Sequence, residues 1–156
     1  MIRILFVCLG NICRSPMAEA VMRNLIEKEN LSNKIKVDSA ATSHWHVGEP
    51  PHRGTQAKLK EYGISTSGMK GRQLQKEDFE QFDYIIGMDD RNVGDIRQML
   101  GQVEHPKIFR FLNITSHKKD VPDPYYTGDF QETYNLVEEG CNILLQKIII
   151  ELEQQK

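Results

Sequence analysis

Short apolar runs alternate along the chain with longer segments in which apolar residues return every three or four positions. Ile2 to Val7 (IRILFV) is β-branched, leucine and aromatic apart from Arg3. It reads as a strand buried on both faces. From Pro16 onward Ala18, Val21, Met22, Leu25 and Ile26 keep helical spacing, and a proline at the first helical position forfeits no hydrogen bond. Lys34 to Ala40 predicts a second strand, His52 to Gly63 a helix with glycine at its end, and Phe82 to Met88 a third strand. A helix over Val93, Ile96 and Leu100 stops at Gly101, and Lys107 to Phe111 predicts a fourth strand. Tyr134, Val137, Cys141, Leu144, Leu145, Ile148 and Leu152 mark an amphipathic last helix.

Strands alternating with helices imply parallel pairing through right-handed crossovers, hence the α/β class with a small open sheet and helices on both faces. A chain of 156 residues holds one core and is short for two. One domain, 1–156, is expected. In such sheets ligands bind beyond the carboxyl ends of the strands, and Cys8 ends the first strand. Ala41 to Arg53 and Asn113 to Asp129 are the long, turn-rich loops, the segments that most often carry function.

Charge narrows the function classes. Lys and Arg number 20 against 22 Asp and Glu, so no global basic field recruits nucleic acid or an anionic membrane. An anionic substrate therefore needs a local site. The apolar start is too short for a signal peptide and is broken by Arg3, and no stretch is long enough to span a bilayer. A cytoplasmic protein without membrane insertion is expected. Three cysteines are an odd number for a disulfide framework, so reduced thiols are expected too.

The segment VCLGNICRSPMAEA, Val7 to Ala20, joins the first strand to the first helix. A turn there presents unpaired N–H groups beside the partial positive charge of a helix start, which together make an anion site. Gly10 can take positive φ freely and Asn11 tolerates it, so the turn can curl inward. Arg14 adds a two-pronged donor suited to phosphate oxygens. Cys8, beneath these donors, is the candidate nucleophile, and Ser15 can donate to its sulfur. A free cysteine ending a strand is most often a small core residue. The surrounding Gly10, Asn11, Ser15 and Pro16 outweigh that reading here. As a helix N-cap, Ser15 is only half supported, because the next glutamate is Glu19, one position too far for a capping box.

This segment resembles the phosphate-binding loop of the low-molecular-weight protein tyrosine phosphatases. The likeness continues through WHVGEPPH, DYIIGMDD and DVPDPYY, over essentially the whole chain. It implies a four-stranded parallel sheet, a phosphocysteine intermediate at Cys8, no metal, and no other cofactor. It assigns Asp123, set between Pro122 and Pro124, the role of general acid. Aromatic residues at Trp45, Tyr125 and Tyr126 would line a cleft deep enough to favour phosphotyrosine, with Leu9 and Ile12 completing its walls. The implied partners are tyrosine-phosphorylated proteins and a cognate tyrosine kinase. The resemblance also makes Cys13 a partner that traps an oxidised Cys8; otherwise it is a packed thiol, as Cys141 is on the last helix.

Asp89 reads as the cap of the following helix rather than as a second carboxylate of the site. His44, His46 and His52 show no metal-ligand spacing. Two rival activities share this loop. An arsenate reductase would carry further cysteines after the third strand, where GMDDRNVGDIRQML has none. A protein-arginine phosphatase would carry threonine at the position of Ile12. A phosphate-binding or redox-sensing module would have no need of Asp123.

Overall fold

The structure, a computed structural model, describes residues 1–101 and 103–155. β1 (Ile2–Cys8) lies inside a four-stranded parallel sheet, flanked by β2 (Ile35–Ala41) and β3 (Tyr84–Gly87), with β4 (Ile108–Arg110) beyond β3. This is the open α/β sheet expected from the strand and helix pattern. Ile4, Phe6 and Cys8 enter the core under α1 (Arg14–Lys28) and α6 (Phe130–Gln154). Leu5 and Val7 enter the opposite core under α4 (Asp90–Met99). That parity is the period of two of a strand covered on both faces, and it puts Cys8 on the side where α1 begins. Phe6, fully buried, meets Phe111 edge-on at 5.2 Å; burying each such side chain contributes about 1.5–3 kcal/mol.

The chain goes from β1 to β2 on one side and then crosses back to β3 on the other. The strand order therefore reverses at β1, and a crevice opens at its carboxyl end. Register pairs Cys8 with Ala41 and Val7 with Gly87, so the loops leaving β1, β2 and β3 share one edge.

Several boundaries differ from the periodicity. α1 starts at Arg14, two residues before Pro16; the proline sits in the first turn, where N–H groups have no intrahelical partner in any case. Cys13 holds the cap position without a side-chain cap, so Ser15 is not the N-cap. β3 begins at Tyr84 because Phe82 closes α3 (Asp78–Gln81), a short helix the pattern does not predict. β4 ends at Arg110, where a 3₁₀ turn, Phe111–Ile114, takes over. α2 (Arg53–Glu61) is followed by Gly63 at φ 73°, as expected of a glycine after a helix. A second short helix, α5 (Pro124–Thr127), interrupts the last long loop. Among the described residues no helix is long and apolar enough to cross a membrane.

Candidate active site

The turn after β1 folds back on its own cysteine. Asn11 takes φ 57°, and its N–H donates to Cys8 Sγ at 3.3 Å. The left-handed residue is thus Asn11 and not Gly10, which has no positive φ. Gly10 is glycine for a different reason: a Cβ there would lie 3.1 Å from His46 Cδ2. The N–H groups of Gly10, Ile12 and Cys13 donate to no carbonyl of the described residues. They border the uncapped start of α1, which carries partial positive charge.

Below the turn runs a chain of hydrogen bonds whose direction can be worked out. Glu19, buried and paired with Arg23, accepts from Ser39 Oγ at 2.6 Å. Ser39 Oγ is therefore a donor to Glu19 and accepts from Asn11 Nδ2 at 2.9 Å. The same amide donates to Ser15 Oγ at 2.8 Å. That leaves the Ser15 proton for Cys8 Sγ, 3.0 Å away. Burial pushes the Glu19 carboxyl up, against the pull of Ser39 and Arg23.

Arg14 is buried, and its fork is partly committed. Nη1 donates to Asp89 Oδ2 at 2.7 Å and to the Val121 carbonyl at 3.0 Å, while Nη2 reaches Asp123 Oδ2 at 3.4 Å. Its Nε, also buried, has no partner among the described residues. A planar donor held by one edge, with a free N–H along the other, suits a guest with several oxygens. Burial works against the Arg14 charge, but Cys8, Asp123 and Asp89 outweigh it and raise the pKa. Asp89 does more than cap: it accepts from Asn92 N–H in a capping box at the start of α4 and also fixes Arg14. Capping alone, the sequence reading, is corrected.

The other two loops are stitched to this turn. Thr42 N–H donates to the Cys8 carbonyl at 3.0 Å and Ser43 N–H to that of Leu9 at 3.1 Å, and His52 N–H reaches the Ile12 carbonyl at 2.7 Å. Val121 N–H donates to the Met88 carbonyl at 2.9 Å, which brings the segment carrying Asp123 beside Arg14. Asp123 caps α5 by accepting from Tyr125 N–H at 3.1 Å. His52 caps α2 through Nδ1 and stacks on Phe130 at 5.4 Å.

Together these segments enclose a hollow of about 130 Å³. Cys8, Leu9, Gly10, Ile12 and Cys13 form one side, and Trp45, Asp123, Tyr125 and Tyr126 the other. Three expected binding residues, Asn11, Arg14 and Ser15, do not line it; they are buried and position what does. His46 is a wall residue that the sequence reading missed, with Nδ1 on Glu49 Oε2 at 2.8 Å. Ser39, Glu19 and Asp89 were also absent from the expected set, because the bonds that give them their place, Ser39 to Glu19 and Arg14 to Asp89, span 20 and 75 positions. Cys13 is buried, and desolvation, with the charges of Asp123 and Cys8, pushes its thiol up to about 12. It stays protonated near neutral pH. Cys141 lies in the core, its thiol raised by burial.

The family model described as low molecular weight phosphotyrosine protein phosphatase matches residues 3–155. The low molecular weight protein-tyrosine-phosphatase YfkJ of Bacillus subtilis is 53% identical over 150 residues, spanning 95% of this chain and 96% of that protein. The crystal structure of YfkJ superimposes with a TM-score of 0.94 at 52% identity, covering 97% of this chain and 96% of that one. The structure of DARP, drosophila arginine phosphatase, has a TM-score of 0.82 at 36% identity over 95% of this chain and 98% of that one.

Proposed function

This chain belongs to the low molecular weight protein-tyrosine-phosphatase family, and from that premise we propose that it hydrolyses phosphotyrosine in proteins through a phosphocysteine on Cys8. The observation that carries the reading is that Cys8 and Asp123, from segments more than a hundred positions apart in the chain, line one hollow, with buried Arg14 behind it reaching Asp123 Oδ2 through Nη2 at 3.4 Å. Cys8 thiolate attacks phosphorus in line. The P–O bond to the tyrosine breaks, and Asp123 gives its proton to the departing phenolate. Asp123 then takes a proton from the water that attacks the phosphocysteine, releasing phosphate and restoring the sulfur.

Phosphate monoesters are among the slowest esters to hydrolyse unaided. A positioned general acid supplies roughly 10²- to 10⁴-fold. Fixed donors must supply much of the rest, and we assign the equatorial oxygens to the turn amides, backed by Arg14. Dividing the reaction in two is what the nucleophile contributes. Substrate choice follows from depth. Cys8 lies at the base of a slot walled by Trp45, Tyr125 and Tyr126, so an aromatic ring spans the distance that a serine stem does not. Ile12 gives that slot an apolar wall, favouring an aryl group over a guanidino group even though an arginine phosphatase shares the fold. Cys13, protonated and in the same loop, is the thiol placed to capture an oxidised Cys8. The whole of 1–156 acts as one domain of the cytoplasm, on phosphoproteins made by a tyrosine kinase.

The test is hydrolysis of a series of aryl phosphates with EDTA present. Cys8→Ser should be inactive. Asp123→Ala should lose about 10²-fold or more with poor leaving groups and much less with good ones. A loss that did not depend on the leaving group would remove Asp123 from its role.

A further inference from the structure

We infer that Arg72 is a positioning residue for the Cys8 loop, acting through Asn11; the inference rests on the reading of that loop as the phosphoryl site. Asn11 holds a left-handed conformation that residues other than glycine seldom keep unaided. Its carboxamide offers two donors and one acceptor. The donors go to Ser15 and Ser39, and Oδ1 accepts from the main-chain N–H of Arg72 at 3.0 Å. With all three used, the amide cannot turn, and the Asn11 N–H stays on Cys8 Sγ.

Ser15 belongs to α1 and Ser39 to β2, but Arg72 lies in the irregular stretch between α2 and α3. An N–H from such a stretch needs an anchor of its own. The Arg72 side chain provides it. Nη1 and Nη2 grip Asp78 Oδ2 and Oδ1 at 3.1 and 3.2 Å, and Nε bonds Asp38 Oδ2 at 3.1 Å. Asp78 is buried and also accepts from Gln75 N–H at 2.8 Å, which ties the end of the stretch to α3. Asp38 accepts from Ser39 N–H at 2.8 Å, so the same guanidinium steadies a second partner of Asn11. The Arg72 carbonyl accepts from Ala41 N–H at 2.8 Å. Next to it, Gly71 lies so close to the opposing loop that a Cβ would sit 2.6 Å from the His46 carbonyl oxygen. The peptide of Arg72 thus has little room to shift.

An ion pair of purely structural use would end in the fold. This one ends on the group that faces the sulfur. Its function is preorganisation: the turn is set before the substrate's charge arrives.

The experiment measures kcat and KM for p-nitrophenyl phosphate, together with the rate at which iodoacetamide labels Cys8. Arg72→Met should lower kcat about tenfold and leave KM within about twofold, the pattern of an interaction needed in the transition state. Arg72→Lys should restore little, because an ammonium cannot grip Asp78 with two parallel bonds and reach Asp38 as well. In an Asn11→Ala background Arg72→Met should cost no further kcat, while its effect on Tm persists in both backgrounds. An additive loss of kcat, or wild-type kcat in a folded Arg72→Met, would overturn the inference. Should Arg72→Met not fold, Asp38→Asn keeps the guanidinium on Asp78. It should show a smaller kcat loss that also vanishes with Asn11→Ala; an unchanged or additive effect overturns the inference. Activity that survives Cys8→Ser would bring down the phosphatase reading. Slower labelling of Cys8 in Arg72→Met would still uphold the clamp, and unchanged labelling would overturn it.

Discussion

The floor of the hollow and its rim are built on opposite principles. In the floor, Arg14 is 3% exposed and Ser15 0%, and the side chains of Asn11, Ser15, Ser39 and Glu19 hold one another in a fixed order. At the rim, Trp45 is 61% exposed and Tyr126 73%. Tyr125 and Tyr126 meet edge-on at 5.3 Å, and neither ring belongs to a buried cluster. Buried polar groups cost free energy unless they are paired, so a dry floor admits few alternative arrangements. Exposed rings carry no such penalty and are free to adapt to what meets them. Transition-state chemistry needs the first property and recognition of varied proteins needs the second.

Arg14→Lys should produce the largest break in this contrast. The ammonium keeps the charge but cannot hold Asp89 and Val121 O while presenting a second edge, so kcat should fall about 10³-fold in aryl phosphate assays. A loss under about tenfold would mean that charge alone suffices and that the order of the floor is incidental. A smaller effect should appear in stability. A thiol whose native pKa lies above its unfolded value supports the fold at low pH and loses that contribution as the unfolded chain ionises. Cys13 moves from 9.0 to about 12, so stability in urea should be level below about pH 9 and decline above it. Cys13→Ala should flatten the decline, and an unaltered slope would show that the floor is less dry around this thiol than its burial indicates. The smallest effect belongs to the rim. Trp45→Ala and Tyr126→Ala should each raise KM for a phosphotyrosyl peptide a few-fold, leave kcat within about twofold, and change stability by no more than about 0.5 kcal/mol. A fall in kcat comparable to that of Arg14→Lys would erase the distinction.

Much of the site was legible because its parts are contiguous. Cys8, Asn11, Arg14 and Ser15 fall within one strand-to-helix turn, and local rules for turns and helix starts apply to them directly. Asp123 drew notice through its flanking prolines, and the resemblance supplied its role. His46 was left out of the walls because a histidine in a polar loop carries no sign that it faces a cleft. Asp89 was read for one task because capping is a local pattern, whereas its bond to Arg14 spans 75 positions. Both Gly10 and Asn11 were read as able to take positive φ, and only Asn11 does; the imidazole beside Gly10 leaves no mark in the sequence.

The alternation of apolar runs determined the parallel sheet and the face on which Cys8 emerges, since period two and period 3.6 are properties of consecutive residues. It also put a thiol at the end of β1, just before the start of α1. Only the tertiary structure decided which groups hold Asn11, because Ser39 and Arg72 stand 28 and 61 positions away and become neighbours through the strand order. Hydrogen bonds act over about 3 Å, so partners so distant in the chain are chosen by the path of the fold and leave no periodic trace.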